Sequence, residues 1–151
     1  MARTPAAELA PLVRLLAEDR RYKLEAYQFV AAGLEYAQEV LGMGTPEPSA
    51  RPQRQGEATR HVTGQELCWA LRKLAHEQYG LLAKLVLASW GIRSTSDFGE
   101  IVYNLIRIGR LSKSPRDRRE DFDNVYDFEQ ALVKEFVITK EDAEACPPCN
   151  R

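Results

Sequence analysis

The sequence has few of the residues on which disulfide-rich or metal-rich domains depend. It contains three cysteines, two histidines and two methionines among 151 residues. An odd and small number of cysteines excludes the disulfide framework of a secreted mini-domain and is compatible with a reducing compartment. No run of 18 apolar residues occurs, and residues 1–5 lack the basic and apolar regions of a signal peptide. We therefore expect a cytoplasmic protein without a membrane partner.

An excess of charge of one sign is also absent. The chain has 21 Lys and Arg residues against 22 Asp and Glu residues, which gives a net charge of −1. This balance argues against a protein dedicated to coating DNA or a membrane surface. Hydrophobic residues make up 44% and charged residues 28%, a composition that is typical of soluble globular proteins and excludes a fibrous or disordered chain.

Apolar residues recur at helical spacing along most of the chain, so we predict a mainly α, single-domain bundle of about six helices. The first predicted helix carries Leu9, Leu12, Val13 and Leu16 and begins either at Pro5 or at Pro11. The other predicted helices lie near residues 23–41, 64–79, 81–90, 96–108 and 127–136. The sharpest signal is a capping box at Thr63 and Glu66, with Val62 and Leu67 placed as a hydrophobic staple. The segment 81–90 is apolar nearly all round, so we expect it to be the central, most buried helix.

Two regions depart from this helical pattern. Residues 42–61 are rich in Gly, Pro, Arg, Gln and Glu, which predicts a flexible insertion within a single helical domain at 1–137. Residues 138–151 are charged and then proline-rich, so we predict a loosely attached C-terminal tail.

A short β-hairpin is predicted at 111–126, where strand-like pieces at 111–113 and 124–126 flank a charged loop. Three helices followed by a hairpin is the order of elements in a winged helix-turn-helix protein. The alternative is an irregular helical bundle in which the hairpin covers one end of the core.

Four groups of residues carry a family resemblance. They are His61-Val62-Thr63-Gly64-Gln65-Glu66-Leu67, then Trp90-Gly91-Ile92 with Asp97-Phe98-Gly99-Glu100-Ile101-Val102, then Gly109-Arg110-Leu111-Ser112-Lys113, and Val125-Tyr126-Asp127-Phe128. In these strings the chain resembles, over roughly 11–137, a family of uncharacterised bacterial proteins largely restricted to Planctomycetes and Verrucomicrobia. The resemblance implies a single cytoplasmic domain and supplies no catalytic residues.

Cys146 and Cys149 have the spacing with which two thiolates bind one metal ion or form a small disulfide ring. A structural zinc ion needs four ligands, and the other candidates, Cys68, His61 and His76, do not lie at a paired spacing. Zinc is therefore a possible cofactor only if these separate residues converge. The alternative is that the pair is an incidental feature of the tail.

Six basic residues cluster between the fifth helix and the predicted hairpin: Arg107, Arg110, Lys113, Arg116, Arg118 and Arg119. If the hairpin is a wing, their side chains are candidates for contacts with nucleic-acid phosphates. Asp97 and Glu100, at the start of the fifth helix, would repel such phosphates but would also complement the helix dipole. The alternative is a solvated charged surface or a surface that docks a protein.

No nucleophile–base pair, paired carboxylates in an apolar setting or glycine-rich phosphate loop is recognisable. We therefore predict that the protein is not an enzyme but an interaction module, an adaptor or regulator with a protein partner. The first alternative is a winged-helix-like nucleic-acid-binding protein that uses the basic cluster. The second alternative is a metal- or redox-responsive protein that uses the Cys146–Cys149 pair.

Overall fold

The computed structural model describes residues 2–3, 9–46 and 60–136, and this part of the chain is mainly helical. Its α-helices are α1 (Leu9–Glu18), α2 (Leu24–Glu39), α3 (Gly64–Tyr79), α4 (Ala83–Ser89) and α5 (Thr95–Arg107). Four two-residue strands form two antiparallel pairs: β1 (Ala2–Arg3) with β4 (Leu111–Ser112), and β2 (Thr45–Pro46) with β3 (Arg60–His61). The predicted mainly α fold is confirmed.

The core forms around the contact between α2 and α3. Val30 and Leu34 on α2 and Leu67 and Leu71 on α3 are fully buried. The two helices approach closely at Gly33, where a Cβ atom would lie 2.2 Å from Leu71 Cδ2. Such close approach gives the interior the packing density that large buried side chains need.

The start of α3 has the predicted capping box. The Thr63 hydroxyl accepts a hydrogen bond from the Glu66 backbone N–H at 3.2 Å, and the Glu66 carboxylate accepts one from the Thr63 backbone N–H at 2.9 Å. Val62 and Leu67, the two predicted staple residues, are both fully buried. This local prediction is confirmed because capping depends only on residues close together in the sequence.

A sixth α-helix is not found at 127–136. The described residues form there a single π-helical turn, Glu129–Lys134. At the start of this turn, Asp127 Oδ1 accepts a hydrogen bond from the Gln130 backbone N–H at 3.0 Å. Phe128 and Leu132 are buried, so this segment still contributes apolar side chains to the core.

The predicted hairpin at 111–126 is wrong. Leu111–Ser112 pairs with Ala2–Arg3, and the segment Arg119–Phe122 is a 3₁₀ turn. The physical reason is Phe122, which is only 1% exposed although it lies in a charged stretch. A Cβ atom on either Gly64 of α3 or Gly99 of α5 would lie 2.9 Å from this side chain. The segment therefore packs closely against both helices. The winged-helix alternative loses the hairpin on which it depended.

The prediction that the 81–90 segment is the central, most buried helix is also wrong. A 3₁₀ turn, Gly80–Leu82, leads into α4, and only Ala83 and Leu87 of α4 are buried. Leu81, Leu82 and Leu85 are 55%, 61% and 69% exposed. Since α3 and the π-helical turn pack on one side of this seven-residue helix, its outer side is left to solvent.

The two ends of the predicted insertion at 42–61 are joined, since β2 pairs with β3. Residues 47–59 and the whole predicted tail, 138–151, lie outside the described residues. The domain boundaries drawn from the sequence therefore stay predictions. What the structure adds is that the insertion leaves and re-enters the domain at one point, immediately before α3.

The turn after α4 provides a test of the packing. Gly91 has a φ of +95°, and a Cβ atom there would lie 2.0 Å from the Arg21 carbonyl oxygen. Gly109 has a φ of +76° but no atom within 4 Å of its Cβ position. Both Gly→Ala changes should lower the unfolding free energy by about 1–2 kcal/mol, because alanine disfavours the left-handed backbone conformation. Gly91→Ala should cost clearly more, because two backbone segments must separate.

Urea unfolding of the two variants and the wild type measures this difference. Equal losses of unfolding free energy in Gly91→Ala and Gly109→Ala would contradict the close approach at Gly91.

Candidate functional site

The basic cluster predicted to contact nucleic acid begins at α5 and ends in the 3₁₀ turn. Arg119, its last member, donates to the Glu100 carboxylate at 2.9 Å through Nε and 2.7 Å through Nη2. It also donates through Nη1 to Asp123 at 2.8 Å. The guanidinium is thus neutralised by two carboxylates and joins the 3₁₀ turn to α5.

The other members of the cluster have different surroundings. Arg107 lies 3.9 Å from the Glu18 carboxylate, and Lys113 Nζ lies 5.5 Å from the centroid of the Tyr103 ring. Arg110 lines a cleft of about 280 Å³ next to α2 and β4, whereas Arg116 and Arg118 are exposed. Arg107, Lys113 and Arg119 thus each contact a different side chain of the domain.

Asp97, which was expected to repel phosphates, instead makes hydrogen bonds at the N-terminus of its own helix, α5. Its carboxylate accepts hydrogen bonds from the backbone N–H groups of Arg93 at 2.8 Å and Ser94 at 3.1 Å. It also accepts one from the Tyr22 hydroxyl at 2.6 Å. Burial and this carboxylate together raise the pKa of Tyr22. Asp97 therefore caps α5 and ties it to the turn between α1 and α2.

A second polar contact joins the same turn to α5. The Asp19 carboxylate accepts from Arg21 Nε at 3.0 Å and Nη2 at 2.7 Å, and from Asn104 Nδ2 at 3.0 Å. The Arg21 guanidinium holds the pKa of Asp19 well below its usual range. Asp19 and Asn104 are 85 positions apart, so no local sequence pattern reveals this contact.

The two histidines have structural surroundings. His61 Nε2 lies 3.2 Å from Asp117 Oδ2, and both side chains are largely buried. The His76 ring packs edge-on against Phe136 with centroids 5.2 Å apart, and burial lowers the pKa of His76.

The metal and redox hypothesis depends on residues that the structure does not describe. Cys146 and Cys149 lie outside the described ranges. Cys68 is buried, and burial raises the pKa of its thiol to about 12. Among the residues that are described, no cluster of three or more His, Cys, Asp or Glu side chains is arranged to hold a metal ion.

The feature that stands out is an apolar surface formed by Leu81, Leu82 and Leu85, which we name the α4 surface. These are among the most exposed large apolar side chains of the described chain. At its edge, Lys84 forms an ion pair with Glu129. No sequence pattern marks this surface, since a helix that is apolar all round has no single stripe to mark its buried side.

An aromatic cluster joins the two ends of the segment that carries the α4 surface. The Trp90 ring lies 5.7 Å from the ring of Phe29 and 5.7 Å from that of Tyr79. Tyr79 ends α3 and Trp90 follows α4, so the cluster holds both ends of the short helix. Its position is further fixed by the Trp90 carbonyl, which accepts from the Lys23 N–H at 3.2 Å.

Within the part of the chain that is described, no helix combines the length and apolar character needed to cross a bilayer. Comparison of the chain with known protein families, curated proteins and solved structures finds no match. The family resemblance therefore stays a prediction.

The Asp19 contact predicts a pH dependence. Because the folded-state pKa of Asp19 is depressed, the contact stabilises the protein at pH values above the ordinary pKa of about 3.9. That stability is lost as the pH falls towards the depressed pKa. Asp19→Asn should therefore be less stable than the wild type at pH 7, with a difference that narrows below about pH 4.

Urea unfolding at pH 7, 4, 3 and 2 measures this difference. A gap between Asp19→Asn and the wild type that stays constant or widens towards pH 2 would contradict the proposed role of the carboxylate.

Proposed function

We propose that this protein is a non-enzymatic interaction module, an adaptor or regulator that binds a partner protein through the α4 surface. The observation that carries the proposal is the exposure of Leu81 and Leu82 in the 3₁₀ turn and of Leu85 in α4, a helix whose position is otherwise fixed. Contiguous exposed apolar patches are uncommon on monomeric proteins and mark interaction sites.

The size of the surface sets the strength of the contact. The three leucines together expose apolar surface equal to roughly two fully exposed side chains, and burying one such side chain contributes about 1.5–3 kcal/mol. The surface therefore contributes about 3–6 kcal/mol before the costs of association. Since a micromolar Kd requires about 8 kcal/mol, binding through this surface alone is weak and reversible, as a regulatory contact needs.

The packing of the inner side of α4 indicates that the α4 surface is preformed, that is, rigid before a partner binds. Ala83 and Leu87 are buried, and the rings of Tyr79 and Trp90, before and after the segment 80–89, pack together with Phe29. A rigid surface loses little conformational freedom when a partner binds, which offsets part of the small contact area.

The nucleic-acid alternative has less support from the same structure. Arg119 lies between Glu100 and Asp123, and residues 111–126 do not form the hairpin that was to carry the cluster. Binding through phosphates falls steeply with salt concentration, whereas binding through leucines changes little.

The double substitution Leu82→Glu/Leu85→Glu tests the proposal. Both side chains are exposed, so each change should alter the unfolding free energy by no more than about 0.5 kcal/mol. It should abolish binding of the partner, because two carboxylates would be desolvated in an apolar contact. Val40→Glu is the matched control, since Val40 is 66% exposed at the end of α2.

A photo-crosslinking residue in place of Ser89, at the edge of the α4 surface, identifies the partner in cells of the native host after nuclease treatment. Crosslinks to a defined protein that disappear with the double substitution and persist with Val40→Glu support the proposal. Crosslinks that persist in the double variant, or that are lost only on nuclease treatment, overturn it.

A further inference from the structure

We draw no further inference here: the strongest candidate, the exposed apolar patch of Leu81 and Leu82 in the 3₁₀ turn and Leu85 in α4, belongs to the surface already proposed to bind a partner, and nothing in the part of the chain that the structure describes shows what covers it.

Discussion

The close approach of Gly91 to the Arg21 carbonyl is the constraint on which the position of α4 depends. Only a residue without a Cβ atom fits there, and the adjacent Trp90 carbonyl accepts a hydrogen bond from Lys23. The same α1–α2 turn is tied to α5 through Asp19 and its neighbours. These contacts join the end of α4 to the α1–α2 turn and to α5. The helix α4 therefore cannot rotate to bury its outer side chains.

This constraint explains how a folded protein retains an apolar surface. The hydrophobic effect favours burial of Leu81, Leu82 and Leu85. However, α4 is fixed at Gly91, and the rings of Tyr79 and Trp90 pack together at the two ends of the segment that carries these leucines. Its inner side already supplies Ala83 to the core. The exposed leucines are thus a consequence of the packing, and a partner protein can bury them without a change in the fold.

The sequence is informative where structure depends on neighbouring residues. Helical spacing identifies the α-helices, and the capping box at Thr63 locates the start of α3 within one residue. Contacts between distant residues are not visible in this way: the burial of Phe122 depends on Gly64 and Gly99, and the carboxylates that neutralise Arg119 include one from another helix. The α4 surface was not predicted, because a uniformly apolar sequence does not indicate which side of a helix faces the core.

Methyl NMR of the leucines in the presence of a soluble paramagnetic agent tests the central claim most directly. The agent broadens methyl signals that solvent reaches and leaves buried ones unchanged. Strong broadening of Leu81, Leu82 and Leu85, together with sharp signals from Leu87, is the predicted result, since Leu87 is 1% exposed. Equal protection of all four leucines would contradict the account, because α4 would then be the central buried helix.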